Sequence, residues 1–534
     1  MTATIQTLLL LLAIGVVVAV VAQRIKTAPS ILLVIAGVAL AFIPGLPTIE
    51  LAPELVLLVI LPPLIYSAGV SMSWREFRFN LRPIALLAFG CVVFTTCAVA
   101  VAMHYLLGWQ WSVAFLLGAI VAPPDVLAPL AIARRLGLPR RLVVVLEGEG
   151  LANDATALIL YRFAVAAIAT GTFSLGKAAG TFALIVVGEI IWGIAVGWLA
   201  LWLRHRARNP RVEITLSLMT PYLTYWVPEH LGGSGVLATV AAGLYVSWNG
   251  PLLISASTRL QGIFFWDLII YLIESLVFLV TGLQARTLLE KAQSFSMRDL
   301  LIATAITTAI VIVARFVWMF PATYIPRWLS PSLRKRDPSP RWQTPFFQAF
   351  TGVRGVVSLA AALAIPIYTI QPEPFPQRDL ILFVTFGVIV VTLVGQGLML
   401  PGVVRWLGLH RDAHAERQRE REAEYTAREQ ALDAALQRLE AVAAERQLPD
   451  TTLELLRARH AQRVRQLPRS NEDGLDFGHL SVDLRIDLID AERRFLYRLL
   501  REGKLTDEAR RRIERELDLE EESIACRREG DAPL

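Results

Sequence analysis

The chain has 534 residues, of which 55% are hydrophobic and 18% charged, against about 25% charged in an ordinary soluble domain. Residues 409–534 hold 24 basic and 29 acidic residues, while residues 1–408 hold only 28 and 17, so a long apolar region precedes a water-soluble tail. The basic surplus sits in short loops between apolar runs, which removes the case for a nucleic-acid partner, and Cys91, Cys97 and Cys526 form no CxxC pair and no disulfide framework.

A helix that spans lipid needs about 20 mostly apolar residues. Runs of that kind predict thirteen spans: 5–22, 30–46, 51–69, 82–107, 111–132, 140–169, 177–203, 212–227, 233–248, 262–285, 298–326, 344–367 and 378–408. The first has no basic segment ahead of it and reads as a spanning helix, not a signal peptide. Loops at 23–29, 74–83, 134–141, 204–211, 248–262 and 327–341 carry nineteen Lys and Arg, and the intervening loops carry five. That alternation places the N-terminus outside and the tail in the cytoplasm of a multi-pass cell (inner) membrane protein. The predicted fold class is an all-α polytopic membrane protein, with a transmembrane domain over 1–408 and a helical cytoplasmic tail over 409–534. In the tail, 411–446 is rich in Ala, Glu, Arg and Leu with many i,i+4 opposite charges, which predicts a long solvated helix. Ile486, Ile489, Phe495, Leu496, Leu499 and Leu500 then mark a more amphipathic helical region, whose partner the sequence does not name.

Charge inside a bilayer is costly, so each intramembrane charge asks for a function. The densest group is EGEGLAND, residues 147–154. At 100° per residue one helix presents two polar stripes, Glu149 with Asn153, and Glu147 with Gly150 and Asp154. Asp154 lies thirteen residues from Arg141, about 20 Å along a helix and so near mid-membrane. No arginine shares its face within a turn, which marks it as an ion- or proton-binding group. Glu147 sits closer to the cytoplasmic interface, where a solvated role is expected.

Two spans break their own helices. Ala122-Pro-Pro-Asp-Val126 removes backbone donors from the fifth, and Thr351-Gly-Val-Arg-Gly-Val-Val-Ser358, with two glycines around an arginine, interrupts the twelfth. They hold equal places if helices 1–6 and 8–13 are repeats around helix 7. The odd separator makes the repeats inverted, and matched broken helices in inverted halves point to the substrate site of a secondary transporter. Asp125 suits the positive helix ends so created and Arg354 the negative ones, with Arg354 also the natural counter-ion of Glu149. Glu274 is expected either to pair with a helix end or Arg315 or to serve the site. Arg162 and Arg315 read as structural counter-ions, and Glu189 as a residue of a subunit contact.

At these residues the sequence resembles the bacterial sodium/proton antiporters of the monovalent cation:proton antiporter superfamily, in the electroneutral branch marked by an Asn-Asp pair. The resemblance is carried by residues 118–167 and by LPPLIYSAG (61–69), FLVTGLQ (278–284), ARFVWMFPATYIPR (314–327), GVRGVVSLAAALAIP (352–366) and TLVGQGLMLPG (392–402). It implies thirteen helices, a six-helix core moving against a dimerisation domain, and a homodimer. It implies that Asp154 binds the cation or the proton, beside Asn153 and Asp125, with Glu149 and Arg354 as the supporting ion pair. Glu274, Arg315, Pro124 and Gly150 are possible accessory positions. The chain departs from the pattern at Pro124, where the family usually has Thr, and at Gly150, often Ser. It also reads Tyr66-Ser67-Ala68-Gly69 where many members carry an acid.

The expected activity is exchange of Na⁺, with Li⁺ or K⁺ as alternatives, for H⁺ by competition at Asp154, with alternating access and no cofactor. The metal expected at Asp154 is the transported cation. Rival readings are a K⁺/H⁺ antiporter, a channel or uniporter on the same broken helices, and a transport-impaired ion or pH sensor that signals through the tail. An intramembrane hydrolase lacks both HExxH and GxSxG.

Overall fold

The computed structural model describes residues 2–25, 27–44, 51–170, 174–368, 374–447, 449–465, 475–502 and most of 510–524. Among the described residues the chain is helical apart from one isolated bridge, Tyr368 with Pro374. It divides into two compact units, Met1–His410 and Arg411–Leu534.

Each of the thirteen apolar runs contains helix. They form α1 (Thr2–Ile25), α2 (Pro29–Ala41), α3 (Leu61–Ser71), α4 (Val92–Leu107), α5 (Trp111–Val121) and α6 (Leu127–Arg135). Next come α7 (Arg140–Thr170), α8 (Leu175–Ala207), α9 (Pro210–His230), α10 (Val236–Leu253), α11 (Ala256–Lys291) and α12 (Met297–Leu329). The region closes with α13 (Gln343–Phe350), α14 (Val356–Leu363), α15 (Arg378–Val390) and α16 (Gly397–Leu407). Among the described residues eight helices are long and apolar enough to cross a membrane, and three shorter apolar helices accompany them. The protein is a multi-pass membrane protein.

The helices pack as two bundles. One contains α1, α2, α3 and α8–α11; the other contains α4, α5, α7 and α12–α16. Lipid gives no hydrophobic drive for helices to associate, so close backbone approach at small residues does that work. In the first bundle α2 and α11 cross at Gly37 and Gly282, where a Cβ on Gly282 would stand 2.8 Å from the Gly37 Cα. Helices α3 and α10 cross in the same way at Gly69 and Gly243, where a Cβ on Gly243 would come within 3.0 Å of the Gly69 Cα.

Glu189 has a fold role that differs from the expected subunit contact. It is buried in α8 and accepts from the backbone N–H of Ser234, Gly235 and Leu237, and from the Ser234 hydroxyl. A carboxylate there satisfies the orphan donors that open α10. Gly235 turns the chain with φ 68°, and a side chain would press on Tyr225.

In the tail, α17 (Leu409–Arg446) and α18 (Asp450–Arg465) pair through His460 with the Leu432 carbonyl and Arg457 with Glu440. Helix α19 (Leu475–Arg501) buries Ile489 and Leu496 with Leu517 and Ile524, while Arg493 reaches Asp518 and Glu521. Phe495, grouped with the apolar face in the sequence, is exposed, because only the Ile489/Leu496 face meets the following segment.

Gly282→Val would put a branched side chain against the α2 backbone. The expected cost is about 1–3 kcal/mol, read as a lower melting temperature in detergent; an unchanged melting temperature would show that the α2–α11 crossing is not tight.

Candidate functional site

Both helix interruptions fall within the stretches the sequence singled out, the second being shorter than expected because helix resumes at Val356, ahead of Ser358. Helix α5 stops at Val121 and α6 starts at Leu127; α13 stops at Phe350 and α14 starts at Val356. The two unwound stretches meet: the Asp125 N–H donates to the Val353 carbonyl at 2.7 Å. Backbone freed by two prolines and two glycines thus satisfies itself across the pair, as lipid-depth backbone must. The Asp125 carboxylate accepts from the Leu127 N–H at 2.9 Å, at the positive end of α6. It packs so closely on Gly355 that a Cβ there would collide with it.

Arg354 takes one of the two parts expected of it, at a negative helix end, and not the other. Its Nη1 donates to the Ala122 carbonyl at 2.7 Å, at the negative end of α5, and its backbone N–H donates to the Thr392 hydroxyl at 3.0 Å. Glu149 is paired with Arg315, not with Arg354: both carboxylate oxygens accept from the two Nη atoms, one at 2.8 Å, with neither side chain exposed by more than 2%. The Arg315 Nε also donates to the Gln348 carbonyl at 3.0 Å. The physical reason is geometric. A planar guanidinium aligned along a carboxylate makes two parallel charge-assisted bonds, and Arg354 has already turned toward the broken end of α5. The same finding removes Arg315 as a partner of Glu274.

The two stripes of α7 separate as faces. Glu149 and Asn153 are fully buried, and the Asn153 Nδ2 donates to the Pro124 carbonyl at 2.6 Å, which leaves its Oδ1 buried without a partner. Glu147, Gly150 and Asp154 are half-buried. Glu147 meets Arg134 at 2.5 Å near the basic loop. Among the described residues, no hydrogen bond or ion pair reaches the Asp154 carboxylate. Gly150 has a packing reason, since a Cβ there would meet the Val126 side chain. Val126 fills the space a hydroxyl-bearing residue would need.

Three participants were missed in the sequence. Thr392 lies in the π-helical stretch Val391–Gln396 that joins α15 to α16, a local widening often found at functional sites. Val126 follows a motif that drew attention to its prolines and acid. Glu229, at the end of α9, pairs with Arg162 of α7 and so links the two bundles. Only the proline and glycine breaks near these residues were legible. Among the described residues no group of three His, Cys, Asp or Glu is arranged to hold a metal ion.

Residues 8–406 match the sodium/hydrogen exchanger transmembrane family. The chain belongs to that family. It is 33% identical over 522 residues to an uncharacterized Na(+)/H(+) exchanger of Mycobacterium tuberculosis, covering 96% of this chain and 94% of the relative. It is 34% identical over 417 residues to the Na(+)/H(+) antiporter ApNhaP of Aphanothece halophytica, covering 77% and 75%. Its fold is similar to the sodium proton antiporter MjNhaP1 of Methanocaldococcus jannaschii, with a TM-score of 0.62 at 18% identity over 76% of this chain and 99% of that one. In this sodium/hydrogen exchanger family member the helix-break crossing, the Glu149–Arg315 pair and Asp154 lie in one bundle.

The pairing can be tested by a double-mutant cycle. Arg315→Met strands a buried carboxylate, at an expected cost of about 3–5 kcal/mol. Adding Glu149→Gln should recover much of that loss in thermal stability. Rescue of Arg354→Met by Glu149→Gln would instead restore the pairing first read from the sequence.

Proposed function

We propose that the protein is a secondary transporter that exchanges Na⁺ for H⁺, with Asp154 as the shared binding group. The single observation that carries this reading is Asp154 itself: a half-buried carboxylate in a spanning helix, with no hydrogen-bond or ion-pair partner among the described residues, beside two crossing broken helices. An anion in such surroundings gains most by taking a cation or a proton. One carboxylate satisfies one of the two at a time, and that exclusivity couples them.

Charge counting supports one proton per Na⁺. Glu149 is neutralised by Arg315, and the Arg354 cation lies beside the crossing that positions Asp125. With those charges offset, Asp154 carrying one proton or one Na⁺ leaves the group of charges around the crossing neutral. An empty Asp154 leaves it charged, and an uncompensated charge resists passage through low dielectric. Asn153 fits this count, since its amide is spent on the Pro124 carbonyl and adds no second acid. Na⁺ is a hard cation that takes oxygen ligands; the Asp154 carboxylate and the unpartnered Asn153 Oδ1 are the nearest in sequence.

The bundle holding α7 moves against the other to expose Asp154 to each side in turn. The Arg162–Glu229 link between bundles must part in that movement. The protein sits in the cell membrane with its N-terminus outside and its tail in the cytoplasm, as the nineteen-to-five loop charge bias supports. It works as a homodimer through its first bundle, a reading that rests on the family resemblance. The names of the Aphanothece and Methanocaldococcus proteins support Na⁺ as the cation.

In proteoliposomes loaded with a pH dye, addition of Na⁺ should drive proton flux that ignores an imposed membrane potential. Asp154→Asn should abolish it. Full cation-dependent flux in that variant would sink the proposal, and a scan of Li⁺ and K⁺ in the same assay ranks the cations.

A further inference from the structure

Helix α19 carries two apolar faces, and the fold of the tail uses one of them. Ile489 and Leu496 are buried with Leu517 and Ile524. Leu484, Leu488 and Phe495 are 58%, 56% and 54% exposed, and Ala491 between them is exposed as well. These four residues follow one another at steps of four, three and four. At 100° per residue they fall within about 60° of one another, roughly 130° round the helix from Ile489. Single exposed apolar side chains are ordinary on a surface, whereas a continuous stripe marks a place of contact. Apolar residues at alternating steps of four and three form the seam of a coiled coil, in which each side chain enters a hole between four residues of a facing helix.

We infer that this stripe pairs with the same stripe of a second copy of the chain, the two helices running antiparallel. In that register Leu484 faces Phe495 of the second copy and Leu488 faces its Ala491, so a leucine fills the space beside each alanine. A parallel pair would instead set alanine against alanine and leave a gap in the middle of the seam. The flanking charges select the same arrangement. Arg485 and Glu492 lie on one edge of the stripe, and the antiparallel register brings Arg485 of each copy opposite Glu492 of the other. Glu492 has no ion pair among the described residues. Arg485 meets Glu520 at 2.9 Å with its side chain 42% exposed, a surface contact that leaves guanidinium donors free. A lipid surface fits this edge less well, because Glu492 interrupts the run of basic residues that a membrane-surface helix carries. The contact is isologous, as a two-fold axis requires. The seam covers only residues 484–495, and a free helix of that length is marginal in water. Helix α19 is already held by Ile489 and Leu496, so pairing has little left to order. No residue of the exchange site takes part, and the inference stands apart from the exchange reading.

The test uses the full chain purified in detergent, with Cys526→Ser as the background so that the tail's own thiol does not react. Two differently tagged copies are coexpressed, one carrying Leu484→Cys and the other Phe495→Cys, and treated with a short bismaleimide. The mixed pair should cross-link through these two positions. Leu484→Cys in both copies, or Phe495→Cys in both, should give no product above the background chain, because the antiparallel register holds like positions eleven residues of helix apart, about 16 Å. Arg485→Glu in both copies should slow the mixed cross-link about three- to tenfold, the order expected for losing two exposed ion pairs. Combining Arg485→Glu with Glu492→Arg should restore the rate, although the contact with Glu520 is still lost. A mixed pair that does not cross-link overturns the inference, and that is the result given by a stripe seated on lipid or on another protein. Cross-linking between like positions overturns it too, since it reports parallel pairing. A mixed cross-link indifferent to both charge changes overturns the register. All of the substituted positions are solvent-exposed or on the rim of the stripe, so the variants should fold, and a circular dichroism spectrum matching the background chain checks this.

Discussion

Two stretches of unwound backbone cross at membrane depth, and the hydrogen bond from the Asp125 N–H to the Val353 carbonyl ties them together. Lipid offers such backbone no partners, so the crossing exists only because each stretch completes the other. Its remaining ends are closed by charge. Arg354 covers the carbonyl end at Ala122, and the Asp125 carboxylate covers the amide end at Leu127. Asn153 then fastens α7 to the same crossing through the Pro124 carbonyl. Asp154, the next residue on α7, is thereby held beside the break.

The buried Glu149–Arg315 pair follows from this arrangement. A buried pair is weak evidence for stability, because desolvation offsets much of the attraction. Its contribution here is positional: it holds α7 to α12 and, through the Gln348 carbonyl, to the end of α13 just ahead of the second break. The pair also neutralises its own members, so Arg354 and Asp125 are left to balance near the crossing, and one charge remains open at Asp154. The coupling of cation to proton in the proposed exchange is a consequence of that count.

The opposite bundle is built by other means. Glycines bring α2 against α11 and α3 against α10, and Glu189 closes the start of α10 with backbone donors. Such packing makes a stiff wall, against which the bundle carrying Asp154 is proposed to move. Arg162 with Glu229 bridges the two bundles.

The sequence by itself determined the helical spans, the two breaks and the isolation of Asp154. These are local properties: apolar run length, the missing donors of Pro123 and Pro124, the glycines around Arg354, and the absence of a basic residue within a turn of Asp154. Helical periodicity also separated the Glu149/Asn153 stripe from the Glu147/Asp154 stripe, and the structure shows the first fully buried and the second half-open. Only the tertiary structure decided who pairs with whom. From the sequence Arg354 was the partner for Glu149 and Arg315 a candidate for Glu274, and the actual pairing depended on which guanidinium could lie flat along the Glu149 carboxylate once the helices had packed. Helical phase likewise could not reveal that Val126 fills the space beside Gly150, that Glu189 caps a helix some 45 residues away in sequence, or that Thr392 supports Arg354. Those contacts join residues far apart in the chain, and their partners are set by the crossing of helices. Asp154 was legible as a cost, and its surroundings became a candidate site only when the two breaks met.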